Sequence, residues 1–238
     1  MWNYLDMPFS ICKNGIMKNN TNLLDGITCA IFDLDGTLLD SLGIWAEIDE
    51  IFLGARGISV PDDYEDCIGH IGARAAAEYT IARFSLDESV DKILTEWKSL
   101  ADEIYPKKVG LKPHAAQLLR FLRDRGIRLT IATAGNPDLF LPVLRREEVD
   151  TLFEGYTTIS EVGRGKEFPD IFLLAASKLG SRPAECCVFE DNYIALCAAR
   201  DGGFRTIAVY DVLRGSQQAK IAGVADIVIG DFSDLLPG

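Results

Sequence analysis

Short apolar runs that stop at acidic or glycine-rich residues alternate along this chain with stretches whose apolar residues recur every three or four positions. Cys29–Phe32 reads CAIF, a run suited to a strand buried on both faces, and DLDGTLLD follows it directly. From Ser41 the spacing turns helical: Ile44, Ile48, Ile51, Phe52 and Ala55 share a face, and Gly57 ends the run. Pro61–Asp66 reads as an acidic turn or the start of a short helix. Ala73–Phe84 and Ser89–Ile104 read as two more helices, with Pro106 breaking the second. No strand pattern occurs between residues 41 and 110. A parallel crossover needs only about a dozen residues, so this segment reads as an inserted helical domain.

After Gly110 and Pro113 the pattern alternates. Helices are expected over 113–126, 137–147, 169–179 and 192–200, and strands over 128–133, 156–159, 186–190, 206–210 and 226–229. This predicts an α/β fold, a Rossmann-like parallel sheet covered by helices on both faces, with an α-helical domain inserted. The core is residues 27–40 and 111–238, and the insertion is 41–110. Residues 1–26 lack an apolar period and read as an extension, disordered or loosely docked, with Met17 a candidate start.

The 238 residues allow one sizeable domain, or one domain with an insert. No apolar run approaches the roughly 18 residues of a membrane span. The net charge of -12 opposes binding to nucleic acid. It also requires any phosphate site to be made locally positive by a metal, a lysine or backbone N–H groups. Six cysteines without a Cys-x-x-Cys pair read as buried thiols in a reducing cytoplasm, and two histidines outside any ligand-like cluster argue against zinc.

Asp33 and Asp35 stand two apart and point the same way on an extended chain, and Gly36-Thr37 then ends the strand in a tight turn. The C-terminal end of a buried parallel strand is where open α/β sheets keep their sites. A carboxylate there can attack phosphorus, and a second acid can protonate the leaving oxygen. Asp33 is the candidate nucleophile and Asp35 the candidate acid. The approach of two anions needs a hard cation, for which Mg²⁺ is suited. The bland alternative is a pair of solvated acids entering a turn. Thr133 ends another strand, where its hydroxyl and the N–H groups of Ala134 and Gly135 can reach a phosphate. Glu190 and Asp191 end CCVFED, and adjacent acids near other carboxylates are unfavourable without a divalent ion. Lys166 follows Gly163 and Gly165 in GRGKEFPDIF, before a helix opened by Pro169.

FDLDGTL resembles the opening motif of the haloacid dehalogenase superfamily of phosphohydrolases. Thr133, GK-x-x-PD-x-F around Lys166, and Glu190-Asp191 resemble its second, third and fourth motifs, in the family's order, and the resemblance runs from about residue 28 to 236. It implies that Lys166 neutralises charge on the transferring phosphoryl group. It also implies that Mg²⁺ is bound by Asp33, the backbone carbonyl of Asp35, Asp191 and, directly or through water, Glu190. The chain is most similar to the helical-cap subfamily, as in phosphoglycolate phosphatases and β-phosphoglucomutases. Residues 41–110 would then be a cap that closes over the site and reads the substrate. Trp45, His70 and Arg74 are cap positions that could face the site, although Trp45 could equally be core of the first cap helix. His114 stands where the family often has glycine.

The expected function is a cytoplasmic Mg²⁺-dependent phosphatase of a small phosphorylated metabolite, such as a sugar phosphate, with no nucleic-acid or membrane partner. Two readings compete. A phosphosugar mutase would want basic residues in the cap for a second phosphate, and no clear cluster stands out. A catalytically silent binding module would be expected to have lost one of Asp33, Asp35, Lys166 or Asp191, and all are present.

Overall fold

The structure, a computed structural model, describes residues 24–237, so the extension read from the first residues lies almost wholly outside the described residues. Its strands are β1 (Cys29–Phe32), β2 (Arg128–Thr133), β3 (Tyr156–Thr158), β4 (Cys186–Glu190), β5 (Arg205–Val209) and β6 (Ile227–Ile229). Its helices are α1 (Leu42–Gly54), α2 (Tyr64–Ile68), α3 (Ala73–Phe84), α4 (Val90–Lys108), α5 (Ala115–Asp124), α6 (Pro137–Arg146), α7 (Ile159–Val162), α8 (Asp170–Lys178), α9 (Tyr193–Asp201) and α10 (Gln218–Val224).

The strands form one parallel sheet in the order β3-β2-β1-β4-β5-β6. The chain steps outward from β1 through β2 to β3, then returns to the other side of β1. The boundary between β1 and β4 is therefore the switch point of the sheet, where a crevice opens beyond the strand ends. All four residues of β1 are fully buried because helices cover both faces. Ala30 and Phe32 face a layer with Leu118 of α5 and Phe140 of α6, while Cys29 and Ile31 face Phe172 of α8 and Ala195 of α9. Phe32 stacks on Phe189 of β4 at 4.2 Å, so the two strands that carry the acids are also packed ring on ring.

Helices α1–α4 fill the interval between β1 and β2. Phe52, Leu53, Tyr64, Ala77 and Ile93 give that segment an apolar cluster of its own, whereas Ile48, Ala101 and Tyr105 join the main core. The expected break at Pro106 does not occur, since α4 runs on to Lys108. A proline so close to the helix end removes only the bond to the Asp102 carbonyl. Ile159, read as the end of a strand, instead opens α7, where Glu161 accepts the Thr158 N–H at 2.9 Å. Cys29, Cys186 and Cys187 are buried, Cys67 and Cys197 are half-buried, and all five are free thiols. No helix among the described residues is long and apolar enough to cross a membrane.

Asp49 is a buried acid on the inner face of α1, and burial pushes its carboxyl up to about 7 from 3.8. Between those values the folded protein holds a proton that the unfolded chain has released, so stability falls as pH rises through that window. Asp49→Asn is expected to remove this dependence and to stabilise the protein above pH 7 by up to about 4 kcal/mol. Denaturant unfolding at pH 5 and pH 8 checks it; equal shifts at both pH values would show that Asp49 is not the group responsible.

Candidate active site

Asp33 follows β1 directly, Glu190 ends β4, and Asp191 comes next, so neighbouring strands deliver three carboxylates to one edge of the sheet. One oxygen from each lies within 4.8 Å of the others, and all three residues are buried. The turn after β1 is drawn tight by the N–H groups of Thr37, Leu38 and Leu39, which all donate to the Leu34 carbonyl. Gly36 has φ of +81°, and a Cβ there would come 2.4 Å from Asp191 Oδ2. Glycine therefore serves both the turn and the approach of Asp191. Thr37 Oγ1 donates to Asp191 Oδ1 at 2.9 Å.

Lys166 is buried among these acids. Its Nζ donates to Asp33 Oδ1 and, at 2.9 Å, to Glu190 Oε2. Its backbone N–H donates to the His70 carbonyl at 3.0 Å. A Cβ on Gly165 would sit 2.8 Å from that carbonyl, which explains the glycine before the lysine. Glu190 Oε1 accepts the N–H groups of Asp191 and Asn192 at 3.1 Å each, so Glu190 shapes its own loop as well as seating Lys166. Arg214, in the turn over 212–217, supplies a second buried cation. Its Nε donates to Asp191 Oδ2 at 2.8 Å, and its Nη1 donates to Glu65 of α2.

Burial, then Glu190 and Asp33, holds the Asp191 carboxyl well above the ordinary range. Burial and Asp33 likewise raise Glu190 against the pull of Lys166. Burial alone would lower Lys166, but Asp33 and Glu190 outweigh it and keep the ammonium charged. Burial brings Arg214 down to about 10, still charged at neutral pH. Three crowded carboxylates, with Glu190 and Asp191 pushed toward protonation, offer only hard oxygen donors and fit a divalent cation.

Asp35 stands beside this cluster with its Oδ1 accepting from Trp45 Nε1 at 2.9 Å and from Tyr105 Oη at 2.7 Å. Burial raises its carboxyl, and the two donors oppose that. Thr133 Oγ1 accepts the Gly135 N–H at 2.9 Å. A Cβ on Gly135 would lie 3.1 Å from both Thr133 Oγ1 and Asp35 Oδ2, so hydroxyl and acid border one small space.

The haloacid dehalogenase-like hydrolase family matches residues 27–203, from β1 through α9. The chain belongs to this family. A probable pseudouridine-5'-phosphatase of Drosophila melanogaster is 27% identical over 88% of this chain and 93% of that protein. The mitochondrial (DL)-glycerol-3-phosphatase 1 of Arabidopsis thaliana is 30% identical over 89% of this chain and 72% of that protein. The crystal structure of a hydrolase from Pseudomonas syringae superposes with a TM-score of 0.72 at 27% identity, covering 88% of this chain and 96% of that one.

In this haloacid dehalogenase-like hydrolase the fold brings Asp33, Lys166, Glu190 and Asp191 together, with Asp35 and Thr133 alongside. It does not bring Arg74 to them. Arg74 sits in the first turn of α3 and pairs with exposed Asp91 at 2.8 Å. His70 meets the Lys166 loop through its carbonyl, while its ring Nδ1 is buried without a hydrogen-bond partner. His114 has φ of 59° and pairs with Asp231 at 2.7 Å. That left-handed backbone is the conformation glycine favours. Tyr105 and Arg214 carried no sequence signal: one lies in a long amphipathic helix, the other is a single arginine after two apolar residues.

Proposed function

We propose that this hydrolase is a Mg²⁺-dependent phosphatase of small phosphorylated metabolites that works through an aspartyl-phosphate on Asp33. The observation that carries this reading is the meeting of Asp33, Glu190 and Asp191 within 4.8 Å around the buried Lys166, at the switch point of the sheet. The pseudouridine-5'-phosphatase and glycerol-3-phosphatase among its relatives support a phosphate monoester as substrate.

In the proposed reaction a carboxylate oxygen of Asp33 attacks phosphorus. The bond from phosphorus to the ester oxygen breaks, and Asp35 gives its proton to that oxygen, so the alcohol leaves neutral. Asp35, now a carboxylate, takes a proton from the water that attacks the aspartyl-phosphate. The bond from phosphorus to Asp33 breaks, and phosphate leaves. Lys166 and Thr133, with the Ala134 and Gly135 backbone, hold the non-bridging oxygens, where charge concentrates. Asp33, Asp191 and the Asp35 carbonyl, supported by Glu190, would hold Mg²⁺, which supplies the positive charge that an anionic ester needs in a chain of net charge -12.

Residues 41–110 act as the cap in this reading. Its support is that the His70 carbonyl bonds the Lys166 loop and Glu65 bonds Arg214, which ties the segment to the rim of the site. A mutase is less favoured, because Arg56, Arg74 and Arg83 of the segment are each engaged by acids of the same segment. The free thiols suit a cytoplasmic setting.

Phosphate release from p-nitrophenyl phosphate and from a panel of glycerol, hexose and nucleoside phosphates tests the proposal. Release is expected with Mg²⁺, loss of it with excess EDTA, and recovery when Mg²⁺ is restored. Isomerised sugar phosphate without free phosphate, or turnover indifferent to chelation, would contradict it.

A further inference from the structure

Trp45 lies near the start of α1 and Tyr105 in the final turns of α4, the helices by which the chain enters and leaves residues 41–110. Both donate to the same atom, Asp35 Oδ1. Tyr105 is 1% exposed, and the two rings stand 5.4 Å apart, so neither donor is a loose surface group. A carboxyl oxygen has two lone pairs, and these donors occupy both on Oδ1. Oδ2 is the oxygen that these two donors leave uncontacted. That oxygen looks toward Gly135: it lies 3.1 Å from where a glycine-replacing Cβ would stand, and Thr133 Oγ1 borders the same point. Asp35, Trp45, Tyr105, Gly135 and Phe140 line one narrow gap there.

We infer that Trp45 and Tyr105 are positioning residues that fix the orientation of the Asp35 carboxyl and present its Oδ2 to the side of Thr133 and Gly135. The inference rests on the reading of Asp35 as the acid. As the ester bond breaks, its electron pair stays with the leaving oxygen, the proton passes from Asp35 Oδ2 to that oxygen, and Asp35 is left as a carboxylate still held by both donors. Without the donors the carboxyl can rotate, and Oδ2 is no longer held toward Thr133 and Gly135. A merely structural role, in which Asp35 satisfies a buried phenol and an indole, would give no dependence on the leaving group.

The test compares kcat/KM for phenyl phosphate and p-nitrophenyl phosphate in Tyr105→Phe, Trp45→Phe and the double variant, with Mg²⁺ present. This ratio reports formation of the aspartyl-phosphate, and p-nitrophenolate leaves with little help from an acid. The phenyl-to-p-nitrophenyl ratio is expected to fall roughly 10-fold in each single variant, further in the double, and furthest in Asp35→Asn. Trp45 is only half-buried, so its variant carries the test even where Tyr105→Phe lowers the melting temperature. Equal losses on both esters, or none, while Asp35→Asn shows the split would overturn the inference alone. Equal losses in Asp35→Asn would overturn the acid role of Asp35 and the inference with it.

Discussion

Asp33→Asn is expected to lower phosphate release by roughly 10⁴- to 10⁶-fold, the scale seen when a nucleophile is removed from a group that acts as a unit. The amide nearly matches the carboxylate in shape but is a far poorer nucleophile. Asp33 lies at the end of β1, where its N–H bonds the Phe189 carbonyl at 3.0 Å, and that backbone contact survives the change. The variant also removes one of the charges that push Glu190 and Asp191 toward protonation, which offsets part of the lost bond to Lys166. A folded protein by circular dichroism with no phosphate release is the expected result. Normal turnover would mean that the phosphoryl group never passes through Asp33.

Lys166→Met is expected to act on stability as much as on rate. The lysine side chain is 4% exposed and is bonded to two carboxylates that are no more exposed than 7%. Removing one partner of a buried ion pair leaves uncompensated charge, at about 3–5 kcal/mol. Arg214 still faces Asp191, but among the described residues it makes no hydrogen bond to Asp33 or Glu190. Turnover should fall roughly 10²- to 10³-fold, as when one charge-stabilising donor is removed. Added Mg²⁺ should recover part of the lost stability, because it brings positive charge to the same acids. Urea unfolding of wild type and variant, with and without Mg²⁺, measures this. A variant as stable as wild type without metal would show that the ion pairs of Lys166 with Asp33 and Glu190 do not stabilise the fold.

The sequence was most informative where burial and charge change within one step. CAIF passes into Asp33 and CCVFE into Asp191, so the strand ends and the acids on them were legible together, and β2 and β4 were read with their observed bounds. Lys166 was legible from Gly165 before it and Pro169 after it, and the structure shows that Gly165 lets the loop pass against the His70 carbonyl. Tyr105 and Arg214 were not, because their roles arise from closure of segments that are distant in the chain. Tyr105 meets Asp35 across 70 residues, and Arg214 meets Glu65 across 149. A tyrosine in a helix period looks the same whether it fills a core or bonds an acid. Arg214 follows Val212 and Leu213, which are exposed, so the local pattern suggested the reverse of a buried cation. Arg74 was misread for a local reason: IGHIGAR looks like one glycine-rich loop, but α3 begins at Ala73 and turns Arg74 toward Asp91.

A crystal structure with Mg²⁺ and beryllium fluoride, which mimics a phosphoryl group on a carboxylate, tests the metal-centred Asp33 site most directly. The expected density shows the fluoride adduct joined to a carboxylate oxygen of Asp33, metal coordinated by Asp33 and Asp191, and Lys166 Nζ beside the adduct. A cleft with no metal between Asp33 and Asp191, or an adduct bound away from Asp33, would contradict it.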